Sequence, residues 1–364
     1  MANIVSLATA SPKYTFQQKD LFEIMRKVYD IPAADMRKLG FMYRHSDIDT
    51  RHSVLKDYTE LDETKWTFLS TKENNLMPGI DERMKIYDEE ALPLSLQSIN
   101  KCIDGVIDKS EITHLVTVSC TGMSAPGLDL QIGETMGLAP DIYRTSVNFM
   151  GCYAAVHGLK IAKQICDSSS KKANVLIVAT ELCSLHHQKE FTPDNAASSL
   201  LFGDGSAAIL VSNYLEGKQN LQVTDFYSRV SYKGAPDMAW KIGSQGFLMT
   251  LSAYVPDLIQ GEILDMVTVA QKYYGINTSE IKFWALHPGG KKILNAMQEQ
   301  LSLTDDDMQY ARNVMRRNGN MSSPSVLFVL NEILTTAPVQ KGDKIFCIAM
   351  GPGLTMETFL VTAS

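Results

Sequence analysis

The sequence contains no run of Lys or Arg, and its formal charge is −7 at pH 7. A surface able to neutralise a phosphate backbone is missing, so no nucleic-acid partner is expected. No apolar run approaches the roughly 20 residues that a membrane-crossing helix needs, so no membrane span is expected. Residues 1–10 are apolar without a basic stretch, and they read as a first strand rather than a leader. The six cysteines, at 102, 120, 152, 166, 183 and 347, form no CxxC pair. With most of them in apolar segments, the chain reads as a reduced, cytoplasmic protein without a disulfide framework. Cys183, His186 and His187 have metal-like spacing, but no second ligand pair accompanies them, so no metal is expected. The glycine turns match neither a phosphate loop nor a dinucleotide fingerprint.

What is present is an ordinary globular composition over 364 residues, 45% of them hydrophobic. That length suits two domains, or two fused halves of one unit. Leu21, Ile24, Met25 and Val28 recur at helical spacing, as do Met36, Leu39 and Tyr43 after Pro32. From Arg44 to about Asp81 the chain is polar and reads as an irregular surface near a ligand entrance or an interface. Residues 82–107 read as helical, interrupted or restarted at Pro93. Buried strands are expected at 114–120, 173–180, 206–211, 281–287, 343–350 and 355–362. The residues Asp305, Asp306 and Asp307 read as a solvated helix start.

Two stretches can be overlaid. The first runs glycine, Cys152, helix, strand at 173–180, glycine turn, strand at 206–211. The second runs glycine, Asn320, helix through Ile333, strand at 343–350, glycine turn, strand at 355–362. This predicts a layered α/β protein built from two duplicated halves, 1–217 and 218–364, with Cys152 and Asn320 opening equivalent helices.

Cys152 follows Gly151 where a strand-like segment gives way to an apolar-periodic helix. At a helix start, unpaired N–H groups and the dipole lower a thiol pKa, which favours the nucleophilic thiolate. A small buried hydrophobe is the plainer alternative. His287 ends an apolar strand just before Pro288, Gly289 and Gly290, where a side chain can project into a crevice. Alone, each of His287 and Asn320 can be structural. Together with Cys152 they fit one chemistry. A thiolate takes an acyl group from a thioester, while an imidazole and an amide donate to the enolate left when a malonyl thioester loses CO2.

The chain resembles the type III polyketide synthases, the chalcone synthase-like enzymes of the thiolase superfamily. The resemblance rests on Gly151-Cys152, residues 202–205 (FGDG), 283–290 (FWALHPGG), 319–323 (GNMSS) and 351–354 (GPGL) with Glu357-Thr358, and it runs from about residue 4 to the C-terminus. It implies a thiolase-like five-layer αβαβα fold, a homodimer, and a tunnel for CoA thioesters leading to a buried cavity. The substrates would be an acyl-CoA starter and malonyl-CoA, with no cofactor. By resemblance, Cys152 carries the acyl chain, and His287 and Asn320 serve decarboxylation and stabilise the thiolate. Phe202 and Met249 would stand between tunnel and cavity, with Gly289 and Gly290 in the loop after His287. Ala125 would reach into the partner's cavity, and Met350 to Gly353 would form a cyclisation wall. Arg51 aligns best with a CoA-phosphate contact, assisted by Lys38 or Arg44, while Ala253 replaces an expected lysine and Lys291 and Lys292 could compensate.

Two departures bear on substrate choice. Trp240 stands where the family's plant members have glycine, and His186 near a threonine. Both enlarge side chains, so a smaller cavity is expected, unless Trp240 is a core or surface residue and the alignment has slipped there. The expected reaction is iterative decarboxylative condensation, then cyclisation to a pyrone, resorcinol or phloroglucinol-type ring. A single-condensation β-ketoacyl-carrier-protein synthase and a non-catalytic acyl-binding protein of the same fold are the alternatives.

Overall fold

A computed structural model describes residues 1–70, 77–252 and 254–364. Part of the expected irregular region, 71–76, and Ala253 lie outside the described residues. Nine strands are hydrogen-bonded in the order Ile281–Leu286, Lys344–Gly351, Thr355–Ala363, Leu221–Val230, Asn3–Ala10, Asp204–Ser212, Asn174–Leu182, His114–Ser119, Tyr143–Asn148. Within this order one pattern occurs twice. His114–Ser119 runs parallel to Asn174–Leu182, which pairs antiparallel with Asp204–Ser212 and then Asn3–Ala10. Ile281–Leu286 repeats this with Lys344–Gly351, Thr355–Ala363 and Leu221–Val230. Only a short pairing of Asn3 and Ile4 with Gln222 and Leu221 joins the two sets.

Asn174–Leu182 and Asp204–Ser212 are buried along their whole length, so their apolar runs carry no alternation. The helices Ala154–Ser168 and Ser325–Thr336 each pack on strands of both sets, as a layer between them. The helix Ile80–Ile103 covers the outer face of the first set, and Val255–Tyr274 and Asp305–Asn318 cover the second. Helix on sheet on helix on sheet on helix follows. The buried stripe Ala155, Leu159, Ala162 and Cys166 explains why Ala154–Ser168 occupies the middle. The acidic triplet opens Asp305–Asn318, where the Thr304 hydroxyl accepts from the Asp307 N–H.

Three expectations change. Ile80–Ile103 is one helix with Pro93 inside it, uninterrupted. Pro93 and Glu89 are both exposed, so water satisfies the carbonyl that the missing N–H leaves free. The helix expected to open at Asn320 begins at Ser325. Ser322 has φ 60°, outside the helical region, and Pro324 disfavours helical backbone in the residue before it. The region after Arg44 is also more ordered than its polarity suggested. Thr50–Ser53 pairs with Tyr14–Gln17, and Tyr58, Phe68 and Leu69 are buried. Apart from the large sheet, a hairpin of Met238–Gly243 and Gly246–Leu251 forms a separate ribbon.

Candidate active site

Cys152 lies two residues ahead of the helix Ala154–Ser168, in a turn rather than on its first turn. Gly151 makes that turn, with φ +82° and a position 2.3 Å from Pro352 Cδ that any Cβ would fill. Its N–H donates to Cys120 Sγ at 3.0 Å. His287 ends its strand with its N–H donating to the Ile348 carbonyl oxygen. Asn320 bridges to Phe202: its N–H donates to the Leu201 oxygen, and its oxygen accepts from the Gly203 N–H. Gly319 before it, at φ +66°, would place a Cβ 2.5 Å from the Leu201 oxygen. The Asn320 Oδ1 accepts from the Ser322 N–H at 2.8 Å, which fixes the amide plane.

These three residues, distant in sequence, line one cavity of about 620 Å3, its mouth included. Phe202, Met249, Trp240, His186, Gly289 and Met350 share the lining. Cys120, Cys183, Ser322 and Pro352 also line it; Ser322 and Pro352 lie in the quoted motifs, whereas Cys120 and Cys183 lie outside them. Gly290 and Gly353 do not line it; Pro352 takes the place expected of Gly353. Gly290 instead precedes the helix Lys291–Gln300. Ala125 is exposed and lies outside the cavity.

Trp240 is neither a surface residue nor a remote core residue. It faces Met249 across the hairpin and meets the His186 ring edge-on at 4.4 Å. Phe247 closes the cluster, 4.4 Å from His186. His186 Nε2 shares a 2.9 Å hydrogen bond with the Thr121 hydroxyl. These rings occupy space that a glycine and a threonine would leave open.

Arg51 requires a correction. It retains 1% exposure, so it is no CoA-phosphate contact. Nε donates to Gln18, and the terminal nitrogens donate to the carbonyl oxygens of Phe202 and Ser199. Those carbonyls close the helix Pro193–Leu201, where a cation is favourable. Lys38 and Arg44 are exposed on the helix Ala33–Arg44, Lys38 paired with Asp35. Lys291 pairs with Asp47 at 2.8 Å.

Burial changes the electrostatics expected at Cys152. It pushes the thiol up to about 11, while hydrogen bonds from Ser322 and Asn320 pull the other way. Burial also pushes His287 down to about 3. Each charge alone is disfavoured, but a thiolate and an imidazolium formed together offset one another. Iodoacetamide labelling of Cys152 across pH tests this coupling. His287→Ala is expected to move the profile upward by a unit or more, towards the value set by burial; superimposable profiles would exclude the pairing.

Glu181 sits beneath the cavity with no exposed surface. It accepts from Ser323 Oγ at 2.6 Å and the Cys120 N–H at 2.8 Å, yet burial raises its pKa to about 7. A carboxyl whose folded pKa is raised contributes stability that is fully present below its unfolded value. That contribution is lost as pH rises through the folded value. Between pH 5 and 8 the urea midpoint of Glu181→Gln is therefore expected to fall less than that of the parent; equal falls would refute the assignment.

Among the described residues no cluster of His, Cys, Asp or Glu could hold a metal ion. No described helix is long and apolar enough to cross a membrane.

Comparison with known proteins identifies the family and the fold. The family models for the N-terminal and C-terminal domains of chalcone and stilbene synthases match residues 1–214 and 231–364. A putative chalcone synthase of Bacillus subtilis is 26% identical, covering 99% of this chain and 98% of its own. A 1,3,6,8-tetrahydroxynaphthalene synthase of Streptomyces peucetius is 28% identical, covering 99% and 92%. The crystal structure of PKS-I from the brown alga Ectocarpus siliculosus superimposes with a TM-score of 0.88 at 26% identity, covering 100% and 98%. The duplicated five-layer arrangement is thus the thiolase-like fold of such enzymes. The chain belongs to the chalcone and stilbene synthase family, the type III polyketide synthases, which are acyltransferases.

Proposed function

We propose that the protein loads an acyl group from an acyl-CoA starter onto Cys152 and extends it with malonyl-CoA. The observation that carries this reading is the convergence of Cys152, His287 and Asn320 on one largely apolar cavity. Cys152 Sγ attacks the starter carbonyl, His287 takes the thiol proton, and CoA leaves as a thiol when that proton is returned. Malonyl-CoA then loses CO2, and the electron pair of the broken C–C bond moves onto the thioester oxygen as an enolate. His287 and the Asn320 amide donate to that oxygen in a site sheltered from water, where such bonds are strongest. The enolate carbon attacks the acyl thioester, a C–C bond forms, and the Cys152 thiolate is released for the next round. Apolar walls keep water from the acyl-enzyme.

The rings of His186 and Trp240 narrow the cavity, which favours small or slender starters over a bulky aromatic one. Cyclisation yields a pyrone, resorcinol or phloroglucinol-type product. In support, one relative, 28% identical, is described as an α-pyrone synthesis polyketide synthase-like protein of Mycobacterium tuberculosis. Lys38 and Arg44 remain candidates for the CoA phosphates, because an exposed ion pair such as Lys38–Asp35 holds its partners weakly. The edge strand Tyr143–Asn148 leaves one side of its backbone unpaired and Tyr143 71% exposed. Such an edge favours a homodimer, in which Ala125 would approach the partner's cavity.

Mass spectrometry of products from malonyl-CoA with a panel of acyl-CoA starters tests the reaction. Products extended by two or more malonyl units are expected. A single condensation that requires a carrier protein would point to a β-ketoacyl synthase, and no condensation or CO2 release to a non-catalytic protein.

A further inference from the structure

A second cavity of about 420 Å3, its mouth included, adjoins the catalytic one. Cys183, His186, Phe202, Trp240 and Met249 line both, so they form the wall between them. A chain anchored at Cys152 that passes this wall enters the second space. Its far side is polar, with His187, Asn195 and Ser198 among the lining residues.

Two polar atoms on this lining are buried without a partner, the Trp240 indole Nε1 and His187 Nε2. His187 is only 6% exposed. An indole N–H can only donate, and leaving a buried donor unmet costs about 1–3 kcal/mol. Positive charge stands behind them. Arg83 is fully buried and donates to the carbonyl oxygens of Leu185 and His187, while its NH2 nitrogen has no partner. Among the described residues no carboxylate forms a salt bridge with Arg83 or with Arg51. Burial and these two guanidiniums keep the His187 ring neutral, its pKa held at about 3. An alkyl tail here would leave the indole N–H unmet. A carbonyl oxygen accepts from the indole N–H, and from His187 Nε2 when that nitrogen carries the single proton of the neutral ring.

We propose that this second cavity is a subsite for the oxygenated distal part of the acyl chain, such as a carbonyl of a β-polyketone, with Trp240 and His187 as its hydrogen-bonding groups. It rests on the acyl-transfer reading above but concerns binding alone, so it is tested without turnover. Hexanoyl-CoA and 5-oxohexanoyl-CoA have the same carbon chain and differ by one distal carbonyl. Their dissociation constants are to be measured by calorimetry on the Cys152→Ala protein, which cannot be acylated there. The oxo ligand is expected to bind about tenfold more tightly, as one hydrogen bond to a buried donor gives. Adding Trp240→Phe, which keeps a ring against His186 and Phe247, is expected to bring the ratio near one, and His187→Phe to lower it. Equal affinities in the Cys152→Ala protein would mean that the cavity takes only water or alkyl groups, and would overturn the proposal without any further variant. A preference unchanged by both ring substitutions would overturn the assignment of the two residues. The preference without polyketide formation would retain the subsite and remove the proposed reaction; condensation without the preference would do the reverse.

Discussion

Cys152→Ala is expected to lower condensation by at least about 10^4-fold, the scale on which loss of a covalent nucleophile acts. The reason is topological as well as chemical. Within this cavity Cys152 stands with His287 and Asn320, and Gly151 holds its turn against Pro352. Cys120 and Cys183 also line the cavity, but burial holds both thiols well above the ordinary range. Cys120 Sγ is further engaged by the Gly151 N–H. Neither should substitute as the acyl carrier. CO2 release from malonyl-CoA should persist in Cys152→Ala, because His287 and Asn320, the proposed donors to the enolate, are untouched. Intact-protein mass spectrometry should show an acyl adduct on the parent protein and none on the variant. Condensation at parental rates, or an adduct on another cysteine, would remove Cys152 from this role.

The second large effect is expected at Arg51. Arg51→Ala would strip donors from the Gln18 side chain and from the carbonyl oxygens of Ser199 and Phe202. Each buried acceptor left unmet costs about 1–3 kcal/mol, and because neighbouring losses are not additive the net destabilisation is about 4 kcal/mol. Arg51→Lys keeps the charge but not the fork that reaches three acceptors, so it should recover less than half of that loss. Urea unfolding measures both. The damage should also reach the site. Phe202 lines the cavity, and Asn320 is hydrogen-bonded to the backbone of Leu201 and Gly203 on either side of it. The folded fraction of Arg51→Lys is therefore expected to turn over more slowly. A variant as stable as the parent would show that the clamp is dispensable.

Arg51 also shows where sequence reading stops. Its alignment with the family suggested a CoA-phosphate contact, because the sequence does not show that residues 198–202 fold back over it. Asn320 is a similar case. Its identity and its preceding glycine were legible, but its helix starts at Ser325, because Ser322 at φ 60° and Pro324 keep the residues between out of the helix. Pro93 was legible as a helix breaker and is tolerated only because that face of Ile80–Ile103 meets water. Trp240 was legible as a bulky departure. That it packs on His186 and Phe247, and walls off a second cavity, depends on a hairpin whose register no local pattern announced.

Legible in the chain were the alternation of strands and helices, the repeated order of elements, and Cys152, His287 and Asn320 as candidates. These are local or periodic properties, written in apolar spacing and in glycine turns. The tertiary structure decided which distant residues meet, which charges are buried, and how much room is left around Cys152. Burial and hydrogen bonding are properties of the packed whole, because a side chain's solvation is set by neighbours far away in sequence. That is why a thiol read as activated at a helix start is instead pushed up to about 11 by its burial.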